Sequence, residues 1–417
     1  MSRVARIEMF HVGIPLPAPF HPSWIPGLPQ TENRCTLIRV ITDDGVEGWS
    51  AGIAMGRERE GLGELVGPYL LGEEATDIDS IQQRLREMAY LGWRNWWIEP
   101  AFWDIRGKLE NKPVYELLGS KACDVRLYAS TGEVKGPAER IAEAEARYEE
   151  GFRVIKLRVH DFDPSDDERQ VTATAEAIGD RMSIGVDANQ GWRVAAVADA
   201  PLWDLERAKR FADVCADHDI SWLEEPLPMD GYDDLCALRQ YARVPISGGE
   251  LHGGGWPELK MMIDRGCYDI YQPDALFAGG IAQTMRVARA CHEAGVIYTP
   301  HTWTNGVGFA VNLQLMIAGG FATQKALEYP LAPPGWTVEA RDGILEEPFH
   351  HDHGVMRAPT GPGLGFRIDH KALRKYGKRF FVMDKKRLVW FSLRTRGIKA
   401  SIEVDRARRS KQPGSSS

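Results

Sequence analysis

No run of about 18 apolar residues occurs in the chain, so no membrane-spanning helix is expected. The opening stretch MSRVARIEMFHVGIP lacks the apolar core of a signal peptide. Cysteine is sparse: Cys35, Cys123, Cys215, Cys236, Cys267 and Cys291 are scattered without a CxxC pair, which argues against a disulfide framework or a zinc site. A cytoplasmic location is the expectation that follows. Excess basic charge is missing as well, with a net charge of −8 and a pI near 5.8, which gives no support for a nucleic-acid partner. The glycine clusters Gly248-Gly249 and Gly253-Gly254-Gly255 stand outside any nucleotide-binding context and read as close-packing turns.

What is present suits a soluble globular protein: 43% hydrophobic and 26% charged residues. A length of 417 residues suits about two domains, one of which can be a large barrel. Residues 1–125 read as α+β, with strands over Arg3 to Gly13 and Thr36 to Asp43 and a reversal at Asp43-Asp44-Gly45. Between those strands, Pro15 to Pro29 (PLPAPFHPSWIPGLP) is proline-rich enough to predict an irregular loop. The tryptophans of Trp93 to Leu109 fall at helical spacing and read as core or subunit contact.

Past Asp124 short β runs alternate with amphipathic helices, the pattern of a parallel α/β barrel. The predicted strands are Arg126 to Ser130, Val154 to Arg158, Met182 to Asp187, Ile220 to Glu224, Pro245 to Gly248, Tyr268 to Gln272, Val296 to Pro300 and Ala326 to Tyr329. In such a barrel the carboxyl ends of the strands carry the active site. Three successive ends deliver Asp187 (IGVDANQGW), Glu224 (ISWLEEP) and Glu250 (VPISGGE). So many carboxylates at one mouth call for a cation, and hard oxygen ligands favour Mg²⁺. Lys156 and Arg158 share one face of their strand, while Asp274 and His301 at the next ends can pair as a carboxylate–imidazole dyad. The eighth end brings Glu328.

Together KLR, VDANQGW, WLEEPL, ISGGE, YQPDALFAGG, YTPHTW, LEYP and PGLGF, in this order, resemble the enolase superfamily and its mandelate racemase-like branch. The resemblance implies an N-terminal α+β capping domain (1–125), a modified (β/α)₇β barrel of the TIM type (126–345) and a segment returning to the cap (346–380). Residues 381–417 lie beyond it. There Phe380 to Leu393 reads as a hairpin and the basic end as a disordered tail. The resemblance also implies roles. Asp187, Glu224 and Glu250 would hold one Mg²⁺ per subunit, Mn²⁺ being the alternative. Lys156 would stabilise an anionic substrate, Glu328 in protonated form would donate a hydrogen bond to it, and His301 with Asp274 would act as acid/base. A homo-oligomer acting on a small sugar acid is expected.

One position discriminates between reactions. Relatives that interconvert stereoisomers need a base on each face of the substrate, commonly a lysine where this chain has Arg158, and guanidinium does not deprotonate in proteins. A single base, His301, favours β-elimination of water from a sugar acid to give a 2-keto-3-deoxy acid. Epimerisation or racemisation is the alternative, with His160 as a candidate second base, and a non-catalytic metal-dependent sugar-acid binder is the alternative of another class. Glu225 is assigned to a salt bridge in the barrel wall. His252, two residues after Glu250 and near the mouth, is a candidate substrate contact, with ligand, acid and polar neighbour all open to it. For substrate contacts the candidates are His21, Ser23 and Trp24 on the proline-rich stretch, Asn189 in the VDANQGW turn, and Arg57 or Arg59, whose charge would suit a diacid.

Overall fold

The computed structural model describes residues 2–92, 94–192 and 197–410, so Trp93 and the last residues of the predicted tail lie outside the described part. The chain first lays down strands β1 (Val4–Phe20), β2 (Gln30–Thr42) and β3 (Glu47–Ile53) as an antiparallel meander. The helices Leu62–Leu70, Ile78–Leu91 and Pro100–Glu110 follow, with the buried turn Trp96–Ile98 before the last. Pro100 supplies the first helical position, where its missing N–H costs nothing. Trp96, Trp97 and Trp103 are all buried, as the core reading expected.

The proline-rich stretch is the irregular loop expected only over residues 21–29, between β1 and β2. Pro15, Pro17 and Pro19 lie within β1, which pairs with β2 as far as Pro15 opposite Glu32 and resumes at Phe20 opposite Gln30. Prolines at alternate positions withhold their N–H groups on one side of the strand only. Pairing on the other side of β1 ends at Val12, so that side is open where the prolines stand.

Eight strands then alternate with seven helices: β4 (Val125–Ser130), β5 (Val154–Arg158), β6 (Ser183–Asp187), β7 (Trp222–Glu224), β8 (Ile246–Gly248), β9 (Ile270–Tyr271), β10 (Ile297–Tyr298) and β11 (Leu327–Pro330). They pair in parallel in the order β10-β9-β8-β7-β6-β5-β4-β11 and form a TIM-type barrel sheet of (β/α)₇β pattern. Side chains bridge β10 to β11: Thr299 Oγ1 donates to the Ala326 carbonyl (3.1 Å) and Thr302 Oγ1 to the Glu328 carbonyl (2.8 Å). Helix Gly306–Ala318 is buried nearly throughout, since the helix Val114–Leu117 and strand β3 pack on it from the cap side. Beneath the mouth the lumen is filled by aromatic rings. Tyr128 and Trp222 meet edge to face at 5.3 Å, and Gly185 leaves the room that the Trp222 ring occupies.

A short β12 (Val355–Met356) pairs with β4, and β13 (Gly377–Asp384) returns to the cap as the antiparallel neighbour of β1. The hairpin expected over Phe380 to Leu393 does not form. Its first half is β13, and its second half begins a helix over Lys385–Ser410, broken only at Gly397. Backbone pairing to β1 satisfies the first apolar run, leaving Leu388 to Leu393 no strand partner, and helix bonding satisfies it locally. The same helix replaces the disordered tail expected as far as Ser410. No helix among the described residues is long and apolar enough to cross a membrane.

Candidate active site

Strand register builds the site in layers. Arg158, Asp187, Glu224 and Ser247 stand side by side on β5, β6, β7 and β8, with Lys156 two residues below Arg158 on the same inward face. The Lys156 Nζ lies 2.6 Å from Glu224 Oε1, 2.8 Å from Glu328 Oε1 and 3.5 Å from Asp187 Oδ2. Burial alone would lower its pKa, but Glu224 and Glu328 reverse that and hold it well above the usual lysine value. It is a fixed ammonium at the bottom of the site.

Arg158 is equally committed. Its Nη1 donates to Asp187, its Nε donates to the Thr131 carbonyl at 2.7 Å, and its plane lies over the rings of Trp24 (5.2 Å) and Trp303 (5.4 Å). Burial acts against its charge, yet Asp187 and the other carboxylates raise its pKa. No base is available here.

On the other side His301 Nδ1 lies 3.1 Å from Asp274 Oδ2, and Nε2 lies 3.2 Å from Glu250 Oε2. A carboxylate only accepts, so Nδ1 carries the hydrogen, leaving Nε2 as the atom that gains or loses a proton. Asp274 is itself held by Leu276 N (2.8 Å) and Asn312 Nδ2 (2.9 Å). Burial disfavours the imidazolium, but Glu250, Glu328 and Asp274 outweigh it and push His301 up to about 9.

Glu328 departs from its expected role as a protonated donor. It accepts from Ser130 Oγ (2.7 Å) and Thr302 N (2.7 Å) and pairs with Lys156. Although burial pushes the other way, Lys156, His301 and Arg158 hold its pKa below the usual carboxylate range, so it is an acceptor. Glu225 departs too. At φ +45° its side chain leaves the strand alternation, and among the described residues its two buried carboxyl oxygens have no hydrogen-bond partner and form no wall salt bridge. Burial and then Glu250, Asp187 and Glu224 raise its pKa well above normal. Gly191 lies so close above it that a Cβ there would come within 2.4 Å of the carboxyl.

A cavity of about 530 Å³ opens over the barrel mouth. Arg158, Asn189, Glu250 and His301 line its floor, and Trp24, Trp303 and Trp336 its sides. Of the expected substrate contacts, Trp24 and Asn189 are in this wall, with Ser23 Oγ donating to Asn189 Oδ1 at 2.6 Å. The others are elsewhere. His21 and His160 line a separate surface cavity, and His160 Nε2 donates to the Ser23 carbonyl at 2.6 Å, which removes it as a second base. His252 is buried against Glu258 (3.0 Å), away from the cavity lining. Arg57 points to solvent with its side chain 71% exposed and only Glu60 beside it (3.7 Å). Arg59 donates to the Ile53 carbonyl and stacks on Trp97 (4.9 Å). The arginine that does reach the cavity from the cap is Arg34.

Among the described residues no group of three His, Cys, Asp or Glu side chains is gathered as a finished metal site, because Lys156 and Arg158 stand between the carboxylates. The charge balance nevertheless fits a dication. Among the described residues, Asp187, Glu224, Glu225, Glu250, Asp274 and Glu328 face Lys156, Arg158 and His301 as their cationic partners. Oxygen donors of this kind suit Mg²⁺.

Comparison with known proteins places this geometry in a family. Residues 139–372 match the model described as enolase C-terminal domain-like, and residues 7–119 match the mandelate racemase / muconate lactonizing enzyme N-terminal domain. The chain belongs to the enolase superfamily, in its mandelate racemase-like branch. A D-galactarolactone cycloisomerase from Agrobacterium fabrum is 29% identical, covering 82% of this chain and 90% of the relative. An arabinonate dehydratase from Saccharolobus solfataricus is 28% identical over 84% of this chain and 93% of its own length. The crystal structure of L-talarate dehydratase from Polaromonas sp. JS666, complexed with Mg and L-glucarate, superposes with a TM-score of 0.75 at 23% identity, covering 92% of this chain and 100% of that one.

For this superfamily member, several site groups had escaped sequence reasoning. Ser130, Gln272 and Asn312 contribute hydrogen bonds to Glu328, Glu224 and Asp274, respectively. Ser130 closes β4 and Gln272 follows β9, so their position at strand ends was the available signal. Asn312 sits within a helix, and nothing in its local sequence marks it.

Proposed function

We propose that the protein is a hydro-lyase that takes the α-proton from a sugar-acid carboxylate and eliminates the β-hydroxyl as water, giving a 2-keto-3-deoxy acid after tautomerisation. The observation carrying this reading is the asymmetry of the site: one proton-transferring group, His301, faces a guanidinium, Arg158, that stays charged. The relatives' names, a cycloisomerase and a dehydratase, support the superfamily's general reaction type.

Asp187, Glu224 and Glu250 would hold Mg²⁺, which supplies Lewis-acid stabilisation of the enediolate formed when the α-proton leaves. Lys156 contributes fixed positive charge to the same developing oxygens. His301 Nε2 takes the proton while Asp274 holds the ring and stabilises the imidazolium. Returned from Nε2, that proton leaves with the β-hydroxyl as water. Glu328 keeps Lys156 in place and accepts hydrogen bonds. Arg158 orients the substrate and excludes a second base.

A screen of sugar acids with Mg²⁺ for released 2-keto acid tests the proposal. Keto acid from at least one substrate is the expected result. Epimerisation of a sugar acid that never yields keto acid would reject it in favour of a two-base reaction.

A further inference from the structure

The wall opposite the barrel mouth bears on the far end of the substrate. It is formed by Gln30 to Arg34 at the start of β2 and by Ile53 to Met55 at the end of β3. The ionisable groups in it are Glu32 and Arg34, two residues apart and so on one face of the strand. Arg34 Nε donates to Glu32 Oε2 at 2.9 Å, and Nη1 to the Met55 carbonyl at 3.1 Å. Arg158, the other guanidinium in the lining, is taken by Asp187. Among the described residues, each arginine lining the cavity therefore already has a carboxylate partner. The sides between floor and cap are indole rings, which offer no charge.

We propose that the substrate is a monocarboxylate polyhydroxy acid whose uncharged far end is read by the Glu32–Arg34 pair, and that this pair discriminates against diacids. The inference rests on the dehydratase reading and names its substrate class. A hydroxyl can donate to Glu32 and accept from Arg34 at once, using both members of the pair. A second carboxylate placed there meets Glu32 as closely as Arg34, and the repulsion grows as the bound substrate strips water from the pair. Rejection by a like charge is a recognised source of specificity.

The test compares aldonic acids with aldaric acids of equal chain length, with Mg²⁺, on the wild type, Glu32→Gln and Arg34→Gln. Wild-type kcat/KM is expected to favour monoacids by about tenfold or more. Glu32→Gln removes the negative charge and keeps the shape, so it should raise the diacid-to-monoacid ratio by about tenfold. Arg34→Gln should weaken monoacids without helping diacids. A wild type that prefers diacids, or a Glu32→Gln ratio that does not move, overturns the inference while leaving dehydration standing. If neither class yields keto acid, the dehydratase reading fails and binding decides. Calorimetry with Mg²⁺ on the wild type then upholds the inference if monoacids bind more tightly and overturns it if diacids do.

Discussion

His301 and Asp274 form a hydrogen bond of 3.1 Å between Nδ1 and Oδ2, from adjacent strand ends of the barrel. It fixes which imidazole nitrogen faces the substrate. Asp274→Ala would free the ring to take the wrong tautomer, and kcat should fall by about 10²- to 10⁴-fold with KM little changed. Steady-state kinetics on any accepted sugar acid checks this. An equal rise in KM with unchanged kcat would place Asp274 in substrate binding.

The surroundings of His301 give the pH dependence its sign. Its value of about 9 in the metal-free protein lies above the ordinary 6.5, held there against burial by Glu250, Glu328 and Asp274. Its charged form therefore stabilises the metal-free fold fully below about pH 6.5, and that contribution is lost as pH rises through 9. A dication on Glu250 would cancel part of the attraction, so Mg²⁺ should move the titration downward. An NMR titration of the imidazole with and without Mg²⁺ reads the shift directly, and an unmoved titration would count against Glu250 as a ligand.

Removing Arg158 takes from buried Asp187 the closer of its two cations among the described residues and leaves Lys156, at 3.5 Å. Breaking such a pair costs about 3–5 kcal/mol, so Arg158→Met should melt well below the wild type in the absence of metal. Mg²⁺ should restore part of the loss, since it neutralises the same carboxylate. Thermal melts across a Mg²⁺ series measure both effects. A deficit that Mg²⁺ leaves untouched would contradict a metal role for Asp187.

Arg57→Ala should change kcat and KM less than about twofold for monoacids and diacids alike. The side chain is exposed and paired loosely with Glu60, an arrangement worth at most about 1 kcal/mol. A selective rise in KM for diacids would show that the loop closes over the cavity.

Much of the barrel was legible because strand ends combine two signals. The run VIKLR was bounded as observed, and the alternation of Lys156 and Arg158 followed from strand geometry. The cap was harder. Whether Arg34, Arg57 or Arg59 reaches the cavity depends on loop packing that local pattern does not encode, and it is Arg34 that does. Glu225 was misjudged because its φ of +45° breaks the alternation on which the wall assignment relied. In the metal-free structure Glu328 is an acceptor and not the protonated donor expected, because Lys156, His301 and Arg158 converge on it only after folding. Likewise the second half of Phe380 to Leu393, expected as the return arm of a hairpin, is helical, because an apolar run of that length does not by itself separate strand from helix and β13 pairs with β1 instead.

The most direct test of single-base elimination is to run wild type and His301→Asn on one accepted sugar acid with Mg²⁺ in D₂O. Keto acid and recovered substrate would be followed together. The account predicts keto acid from the wild type, no inverted epimer in the recovered substrate, and loss of turnover by about 10²-fold or more in the variant. Keto acid formation that survives His301→Asn, or a deuterated epimer accumulating with the wild type, would contradict it.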